Sequence, residues 1–405
     1  MESVQNDGKS FSLKDQLFNE GKVKYLASLI FDVYSDFNEY TFVEKVMDTL
    51  LDLELKERMS LITNVLYEFL PNDFDTAVDI MIKSLPTISE EGSNDQFIFG
   101  SYCEYAERFG CCEKNIKKSF YLFEKCAEFF SAEFAIRDFI NTFPEQTYEF
   151  MEMMSKHRFF MCRRLASEGF RPKLPWAKKI NYDYKKGAEL LDNLFYDSAR
   201  IVTRSVANHL NDISKFDEKF VLDCLLRWKK SGKQNDVNAS TTYSNLDTDE
   251  PMVNGVQSGT KVSDVEMDYI INHSLRGLIK AGAKDTLEFL GYNCEPRVCV
   301  LNFNLKNSSI KLGEHIEFDF DILADCDEHL MVDYKITYPM PTGRLSTKVF
   351  KIKKFFMQCS KGKVNLGKRH RFVSMSTKKL YAGDYKLELI INGNSYLCRE
   401  FTLSF

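Results

Sequence analysis

The chain has 405 residues, of which 44% are hydrophobic, and a formal net charge of −5. A chain of this length is expected to fold into two or three domains. No stretch reaches the roughly 18 uninterrupted apolar residues that a membrane-spanning helix requires. The polar N-terminal residues 1–22 lack the apolar core of a signal peptide. Composition therefore excludes a membrane protein, and we expect a cytoplasmic or nuclear location.

Two segments are basic although the whole chain is acidic. Residues 156–215 contain thirteen Lys and Arg against six Asp and Glu, and residues 344–379 contain twelve Lys and Arg with no acidic residue. Such segregation is typical of a polyanion-binding surface on a soluble protein. The alternative, that each run is only a solvated face, stays open at this point.

The 11 cysteines are scattered and form no C-x-x-C pair, which indicates neither a disulfide framework nor a zinc site. We expect them to be reduced core residues. The sequence also has no H-E-x-x-H motif, no phosphate-cradling glycine loop and no nucleophile elbow. We therefore expect no metal and no cofactor.

From Ser12 to about Lys230, apolar residues recur at helical spacing and are interrupted by Pro and Gly, which predicts an α-helical array. The hexapeptide 163–168 recurs in type at 203–208, forty positions later, and more weakly at 271–276. This period favours HEAT-like helix pairs stacked in a solenoid. Residues 231–263 are predicted to be a flexible insertion because they are polar and rich in Ser, Thr, Asn and Gly. A helix over 264–290 then closes the array.

After Cys294 the apolar period changes to two, and about seven short strands are predicted. Asn392-Gly393 is a typical hairpin turn, since both residues accept a positive φ. The strands favour an immunoglobulin-like β-sandwich without the intersheet disulfide. The expected fold class is mainly α, a HEAT-like solenoid over 12–291, followed by an all-β sandwich over 295–405.

Glu133 is the first candidate functional residue, because apolar and aromatic side chains surround it within the helical stretch 129–137. A carboxylate in such surroundings is costly unless it is paired or used. The alternative is an i,i+4 ion pair with Arg137 on a solvent-exposed face.

Glu168 and Trp176 are the next candidates. Glu168 ends a predicted helix near Gly169, and Trp176 follows in a basic loop that two prolines stiffen. A carboxylate and an indole face both attract positive charge, which indicates a cationic aromatic substrate on a phosphate backbone. The cations expected to contact DNA phosphates in this segment are Arg163, Arg164, Arg171 and Lys173.

A third candidate segment runs from Arg204 to Lys215, and these two end residues could hold phosphates. Within it, His209 and Asp212 lie at i,i+3 spacing. A metal site or a proton relay is one interpretation of that pair. We favour a structural hydrogen bond between the two side chains.

Several phrases of the sequence resemble the AlkC branch of the AlkC/AlkD HEAT-like glycosylases. They are residues 11–18, 130–137, 164–169, 171–177 and 204–213, and, in the predicted sandwich, 332–334, 348–351 and 368–370. The resemblance covers nearly the whole chain except the 231–263 insertion. It implies a concave basic helical surface that holds duplex DNA while the sandwich, with Lys368 and Arg369, grips the other side.

By the same resemblance, Glu133 and Glu168 fall at the acidic active-site positions and Trp176 at the aromatic neighbour. The implied enzyme is a monomeric DNA glycosylase that excises cationic N-alkylated bases such as 3-methyladenine and 3-methylcytosine and so initiates base excision repair. One departure is Asn272, where the family usually has an arginine. The alternatives are a non-catalytic repeat scaffold and a protein that binds lesions without cutting.

Overall fold

The computed structural model describes residues 12–86, 96–231, 234–235, 260–261, 264–341, 343–373 and 379–405. Most of the predicted insertion 231–263 therefore lies outside the described residues. The helices are α1 (Leu13–Leu17), α2 (Glu20–Phe31), α3 (Glu39–Met47), α4 (Leu55–Phe69), α5 (Phe74–Ser84), α6 (Gly100–Gly110), α7 (Ile116–Cys126), α8 (Ile136–Thr142), α9 (Pro144–Ser155), α10 (Phe160–Gly169), α11 (Tyr184–Glu189), α12 (Arg200–Ile213), α13 (Glu218–Ser231), α14 (Asp264–Ser274), α15 (Arg276–Ala281) and α16 (Lys284–Phe289).

The strands follow the helices, apart from the short pair of β1 and β2. They are β1 (Gln234–Asn235), β2 (Thr260–Lys261), β3 (Val298–Leu305), β4 (Ser309–Lys311), β5 (His315–Ala324), β6 (Glu328–Pro339), β7 (Leu345–Met357), β8 (Val364–Arg371), β9 (Gly383–Ile391) and β10 (Asn394–Ser404). The predicted fold class, a mainly α-helical region followed by an all-β sandwich, is confirmed. Among the described residues, no helix combines the length and apolar character needed to cross a membrane.

The chain folds into two compact units. The first runs to Ile213 and includes Cys224–Ser274, so it holds most of the helices. The second comprises Ser214–Asp223 and Leu275–Phe405, and thus the sandwich with the helices α15 and α16. The predicted domain limits, 12–291 and 295–405, stay predictions.

A spacing of about forty residues recurs in the side-chain hydrogen bonds between stacked helices. The Thr63 hydroxyl reaches the carbonyl of Ser101, 38 positions later, and the Ser60 hydroxyl reaches Glu104, 44 positions later. Ser205 and Ser167 are likewise 38 apart. Equivalent positions of successive helix pairs thus face each other, and α10, α12 and α14 pack in turn, as the recurring hexapeptide predicts.

The helices form because their apolar positions fall on one face, and several of them have a capped first turn. In α4, Ile62, Val65 and Leu66 are buried, and Glu54 with Glu57 forms a capping box at the start. The prediction of a single helix over 264–290 is wrong. The chain forms α14, α15 and α16 instead, and Gly282, with a φ of 70°, ends α15 in the left-handed conformation that favours glycine.

The sandwich consists of a five-stranded sheet in the order β4-β10-β9-β6-β7 and a three-stranded sheet in the order β3-β5-β8. Alternate residues of β5, such as Ile316, Phe318 and Phe320, are buried in its core. The predicted hairpin turn is confirmed, since Asn392 and Gly393 both have positive φ, 45° and 81°, between β9 and β10. Eight strands form among the described residues of 298–404, including β4, which the sequence pattern did not reveal.

All 11 cysteines are free thiols. Four of them, Cys103, Cys126, Cys162 and Cys224, are buried core residues as predicted. The expectation is wrong for the other seven, which are half-buried or exposed.

Candidate active site

The end of α10 supplies the first elements of the site. Arg164 and Glu168 lie one turn apart on this helix, so their side chains share a face. Gly169 ends the helix where a side chain has no room, because a Cβ there would lie 2.3 Å from Cε of Met151. The close packing of α10 on α9 therefore fixes where Glu168 stands.

Five charged side chains form one line of alternating sign. Glu133 Oε2 lies 2.6 Å from Arg164 Nη1, and Arg164 Nη2 lies 3.9 Å from Glu168 Oε1. Glu168 Oε2 lies 2.8 Å from Arg171 Nη1, and Arg171 in turn contacts Asp212 Oδ2 at 3.0 Å. We call these residues, Glu133, Arg164, Glu168, Arg171 and Asp212, the charge network. It brings the two predicted carboxylates together through Arg164.

The charge network lies partly beneath the protein surface. The side chains of Glu168 and Asp212 are 4% and 3% exposed, whereas those of Arg171, Glu133 and Arg164 retain 11%, 14% and 19%. Burial opposes ionisation of Glu168, but the neighbouring Arg164 and Arg171 outweigh it, and the pKa of Glu168 is lowered. Glu168 is therefore an ionised carboxylate at neutral pH and not a proton donor.

His209 of α12 is buried and bonds the backbone of Ser167, the residue before Glu168. Its Nδ1 lies 3.0 Å from the carbonyl oxygen of Ser167, to which it donates, and Nε2 has no hydrogen-bond partner among the described residues. The favoured hydrogen bond between His209 and Asp212 is therefore wrong, since Asp212 pairs with Arg171. Burial lowers the pKa of His209 to about 4, which leaves the imidazole neutral.

A loop over residues 171–181, which begins at Arg171 of the charge network, carries Trp176. The indole is 79% exposed, and the residue has a φ of 61°, an uncommon conformation for a residue with a side chain. Arg137, itself 1% exposed, donates to the carbonyl oxygens of Gly169, Arg171 and Lys178. Arg137 therefore supports the loop, and Glu133 pairs with Arg164 instead of forming the alternative i,i+4 pair.

Known proteins resemble the chain along its whole length. Residues 299–405 match the family model described as "Uncharacterised protein YhaZ, C-terminal Ig-like domain". The uncharacterized protein YhaZ of Bacillus subtilis (strain 168) is 29% identical over 384 residues, covering 93% of this chain and 96% of YhaZ. The Pseudomonas fluorescens alkylpurine DNA glycosylase AlkC, solved bound to DNA containing an abasic site analog, superposes with a TM-score of 0.81. It is 28% identical and covers 98% of this chain and 100% of its own.

The chain has an AlkC-type fold. In that fold the predicted active-site residues Glu133 and Glu168 share one network, and Trp176 stands on the loop that leaves it. The contact of Asp212 with Arg171 was not predicted, because the i,i+3 spacing pairs Asp212 with its helical neighbour His209. Its spacing of 41 residues from Arg171, one repeat, is the signal that could have revealed the contact.

The predicted DNA contact of Arg163 is wrong. Arg163 is 1% exposed, and its Nε and Nη2 lie 2.5 Å and 2.9 Å from the carboxylate of Asp197. Its Nη1 donates to the carbonyl oxygens of His157 and Arg158. The guanidinium thus ties α10 to the segment before α12 and cannot reach a phosphate. Arg164 and Arg171 belong to the charge network, where they hold carboxylates.

The other predicted DNA-binding cations lie at or near the surface. Lys173 is exposed on the Trp176 loop, and Arg204 is half-buried on α12. In the second unit, Lys215 is exposed, and so are Lys368 and Arg369 on β8. Arg369 faces Glu317 of β5 across the sheet.

One edge of the sandwich carries most of the basic residues of the 344–379 segment. The strands β7 and β8 end their respective sheets on the same side, and Phe350 and His370 pack between them with ring centroids 4.6 Å apart. We call this the basic edge. Its exposed cations are Arg344, Lys348, Lys351, Lys353, Lys363, Lys368, Arg369 and Arg371. A sheet edge lined with cations fits a polyanion.

Replacing Arg163 by Met is expected to lower the free energy of unfolding by about 3–5 kcal/mol, because it leaves the buried carboxylate of Asp197 unpaired. Urea denaturation followed by circular dichroism measures the change. Arg158→Met, which removes an exposed guanidinium five residues earlier, is the matched control. A variant as stable as the wild type that binds DNA less tightly would instead indicate a phosphate contact.

His209 is expected to stay neutral until the pH falls near 4, because burial disfavours its charged form. Since the unfolded chain takes up this proton near pH 6.5, His209 lowers stability as the pH falls from about 6.5 to 4. A ¹H–¹³C NMR titration of the imidazole measures the midpoint. A midpoint near 6.5 in the folded protein would contradict this assignment.

Proposed function

We propose that the chain is a DNA glycosylase that hydrolyses the N-glycosidic bond of cationic N-alkylated bases, such as 3-methyladenine or 3-methylcytosine, in duplex DNA. The observation that carries the proposal is the charge network. It holds three carboxylates and two guanidiniums, so its members carry one excess negative charge, and the loop that begins at its Arg171 carries an exposed indole. Similarity to a DNA-bound alkylpurine glycosylase over 98% of the chain supports the same conclusion.

The charge network suits the charge that develops during base release. As the glycosidic bond breaks, the deoxyribose takes on cationic, oxocarbenium-like character. Carboxylates fixed near the sugar stabilise that charge, and they do so more strongly in a partly buried site than in water. Glu133, Glu168 and Asp212 supply this field, while Arg164 and Arg171 hold the three carboxylates in place and lower the pKa of Glu168.

The leaving group explains why the site needs no general acid. An N3-alkylated adenine or cytosine is already positively charged, so it departs as a neutral base without taking up a proton. Glu168, whose pKa is lowered, is matched to this chemistry because it offers a carboxylate rather than a carboxylic acid. A carboxylate can also orient the water that attacks the anomeric carbon.

The indole and the cations are proposed to hold the DNA. Trp176 packs against the lesion nucleotide, where its ring face attracts the positive base. The cations contact phosphates, and these contacts position the duplex without reading its sequence. The cations are Lys173, Arg204, Lys215, Lys368 and Arg369. The functional domains are then 12–291 for excision and 295–405 for DNA binding, in a monomer that needs no cofactor and initiates base excision repair.

Isosteric replacement of either predicted catalytic carboxylate, Glu133→Gln or Glu168→Gln, is expected to lower the single-turnover excision rate by about 10²-fold, because one preorganised charge is lost. DNA affinity should change less than about twofold, since neither residue contacts phosphate. The measurement is chromatographic analysis of the free bases released from methylated duplex DNA.

Glu152→Gln is the matched control, because Glu152 forms an exposed i,i+4 ion pair with Lys156 on the neighbouring helix α9. Wild-type release of 3-methyladenine by both active-site variants would refute the catalytic roles. DNA binding without base release by the wild-type chain would instead identify a lesion-binding protein.

Removing two cations of the basic edge, Lys368→Ala with Arg369→Ala, is expected to weaken DNA binding. The slope of log K against log salt concentration should become shallower by about 2, since each lost phosphate contact removes about 0.9. Fluorescence anisotropy of labelled duplex DNA across a salt series measures the slope. Lys311→Ala with Arg399→Ala, two exposed cations on β4 and β10, is the charge-matched control. Equal slopes for both double variants would rule out the basic edge as a phosphate contact.

A further inference from the structure

The conformation of Trp176 requires support from outside its loop. Its φ of 61° lies in the left-handed region, which disfavours residues with a Cβ. The indole is 79% exposed, so its burial does not compensate for this conformation. The contacts that hold the loop must therefore involve its main chain and its other side chains.

Side chains of α4 and α8 form hydrogen bonds with the backbone of the loop. Lys56, at the start of α4, donates to the carbonyl oxygen of Trp176 itself. Asn141 of α8 donates to the carbonyl oxygen of Lys179 at 3.1 Å and accepts from the backbone N–H of Asn181 at 2.8 Å. Together with the bonds from Arg137, these contacts fix the main chain on both sides of Trp176.

Lys178 supplies the side-chain anchor on the C-terminal side of Trp176. Its Nζ lies 2.6 Å from Oε1 of Glu107 on α6 and 2.6 Å from Oδ2 of Asp138 on α8. On the N-terminal side, Arg171 is bound between Glu168 and Asp212. Trp176 thus stands between two cations, each of which is held by two carboxylates.

We propose that Lys178, bridged between Glu107 and Asp138, is a positioning residue that fixes the 171–181 loop so that Trp176 is presented at one orientation. This inference rests on the proposed function for its effect on catalysis, but the position of the indole can be measured without DNA. Lys178 does not touch the substrate, and it acts through Trp176.

The electrostatics of the anchor agree with this role. Burial raises the pKa of Glu107 to about 7 although the hydrogen bond from Lys178 opposes the shift. Asp138 and Glu104 add further negative charge beside it. Without Lys178, Glu107 and Asp138 would lose their shared cation, and the ion pairs that join the loop to α6 and to Asp138 of α8 would be lost.

Replacement of Lys178 by Met keeps the aliphatic stem and removes the ammonium. The mobility of Trp176 is measured by time-resolved fluorescence anisotropy of the DNA-free protein. The chain has two tryptophans, and Trp228 is 2% exposed and stacked on Phe195, so its contribution is obtained from the same variants carrying Trp176→Phe. We expect a larger amplitude of fast local motion for Trp176 in Lys178→Met.

The same variant is expected to excise methylated bases about tenfold more slowly, with a smaller loss of DNA affinity. The reason is that a displaced Trp176 no longer holds the substrate in the reactive position, which lowers the excision rate. Lys178→Arg, whose guanidinium can also bridge two carboxylates, should restore both readouts. Lys186→Met removes a comparable ion pair, with Glu145, and should behave as the wild type.

Thermal unfolding identifies any variant that fails to fold, and Glu107→Gln, which keeps an acceptor for Lys178, then serves as a milder second test.

Unchanged motion of Trp176 in folded Lys178→Met would overturn the inference, whatever happens to the excision rate. Increased motion of Trp176 in Lys178→Met, together with no excision by the wild-type chain, would support the anchoring role of Lys178 and refute the proposed function instead. Increased motion with an unaltered excision rate would show that the anchor does not serve catalysis, which also overturns the positioning role.

Discussion

The pairing of Arg164 and Arg171 with three carboxylates is the interaction on which the rest of the structure depends. Glu168 and Asp212 are almost fully buried, and isolated charges at such positions would be too costly to keep. Each guanidinium lies between two carboxylates, so the network is stable as a unit while keeping a net negative charge. A site of this kind can stabilise a cation without acting as an acid.

The repeated helices place these charges. Glu133 precedes α8, Arg164 and Glu168 lie on α10, and Asp212 is near the end of α12. Because neighbouring helix pairs are offset by about forty residues, side chains one repeat apart meet across the stack, as Arg171 and Asp212 do. The same spacing joins Arg137 to Lys178, 41 positions later, and so holds the Trp176 loop.

The periodic features of the structure could be predicted from the sequence. Apolar spacing predicted the helical array, the change of period after Cys294 predicted the sandwich, and Asn392-Gly393 predicted the last hairpin. The partners of charged side chains could not be predicted from the sequence, because a local pattern does not reveal which residue a guanidinium contacts one repeat away. Arg163 and Arg164 are adjacent in sequence, yet one is buried against Asp197 and the other belongs to the charge network.

We propose that the charge network acts on positive charge. The most direct test of this role compares the release of cationic 3-methyladenine with that of neutral hypoxanthine from otherwise identical duplex DNA, by single-turnover analysis of the free bases. We expect release of 3-methyladenine and little or no release of hypoxanthine, since a neutral leaving group would need a proton that Glu168 does not carry. Comparable rates for the two bases would contradict it.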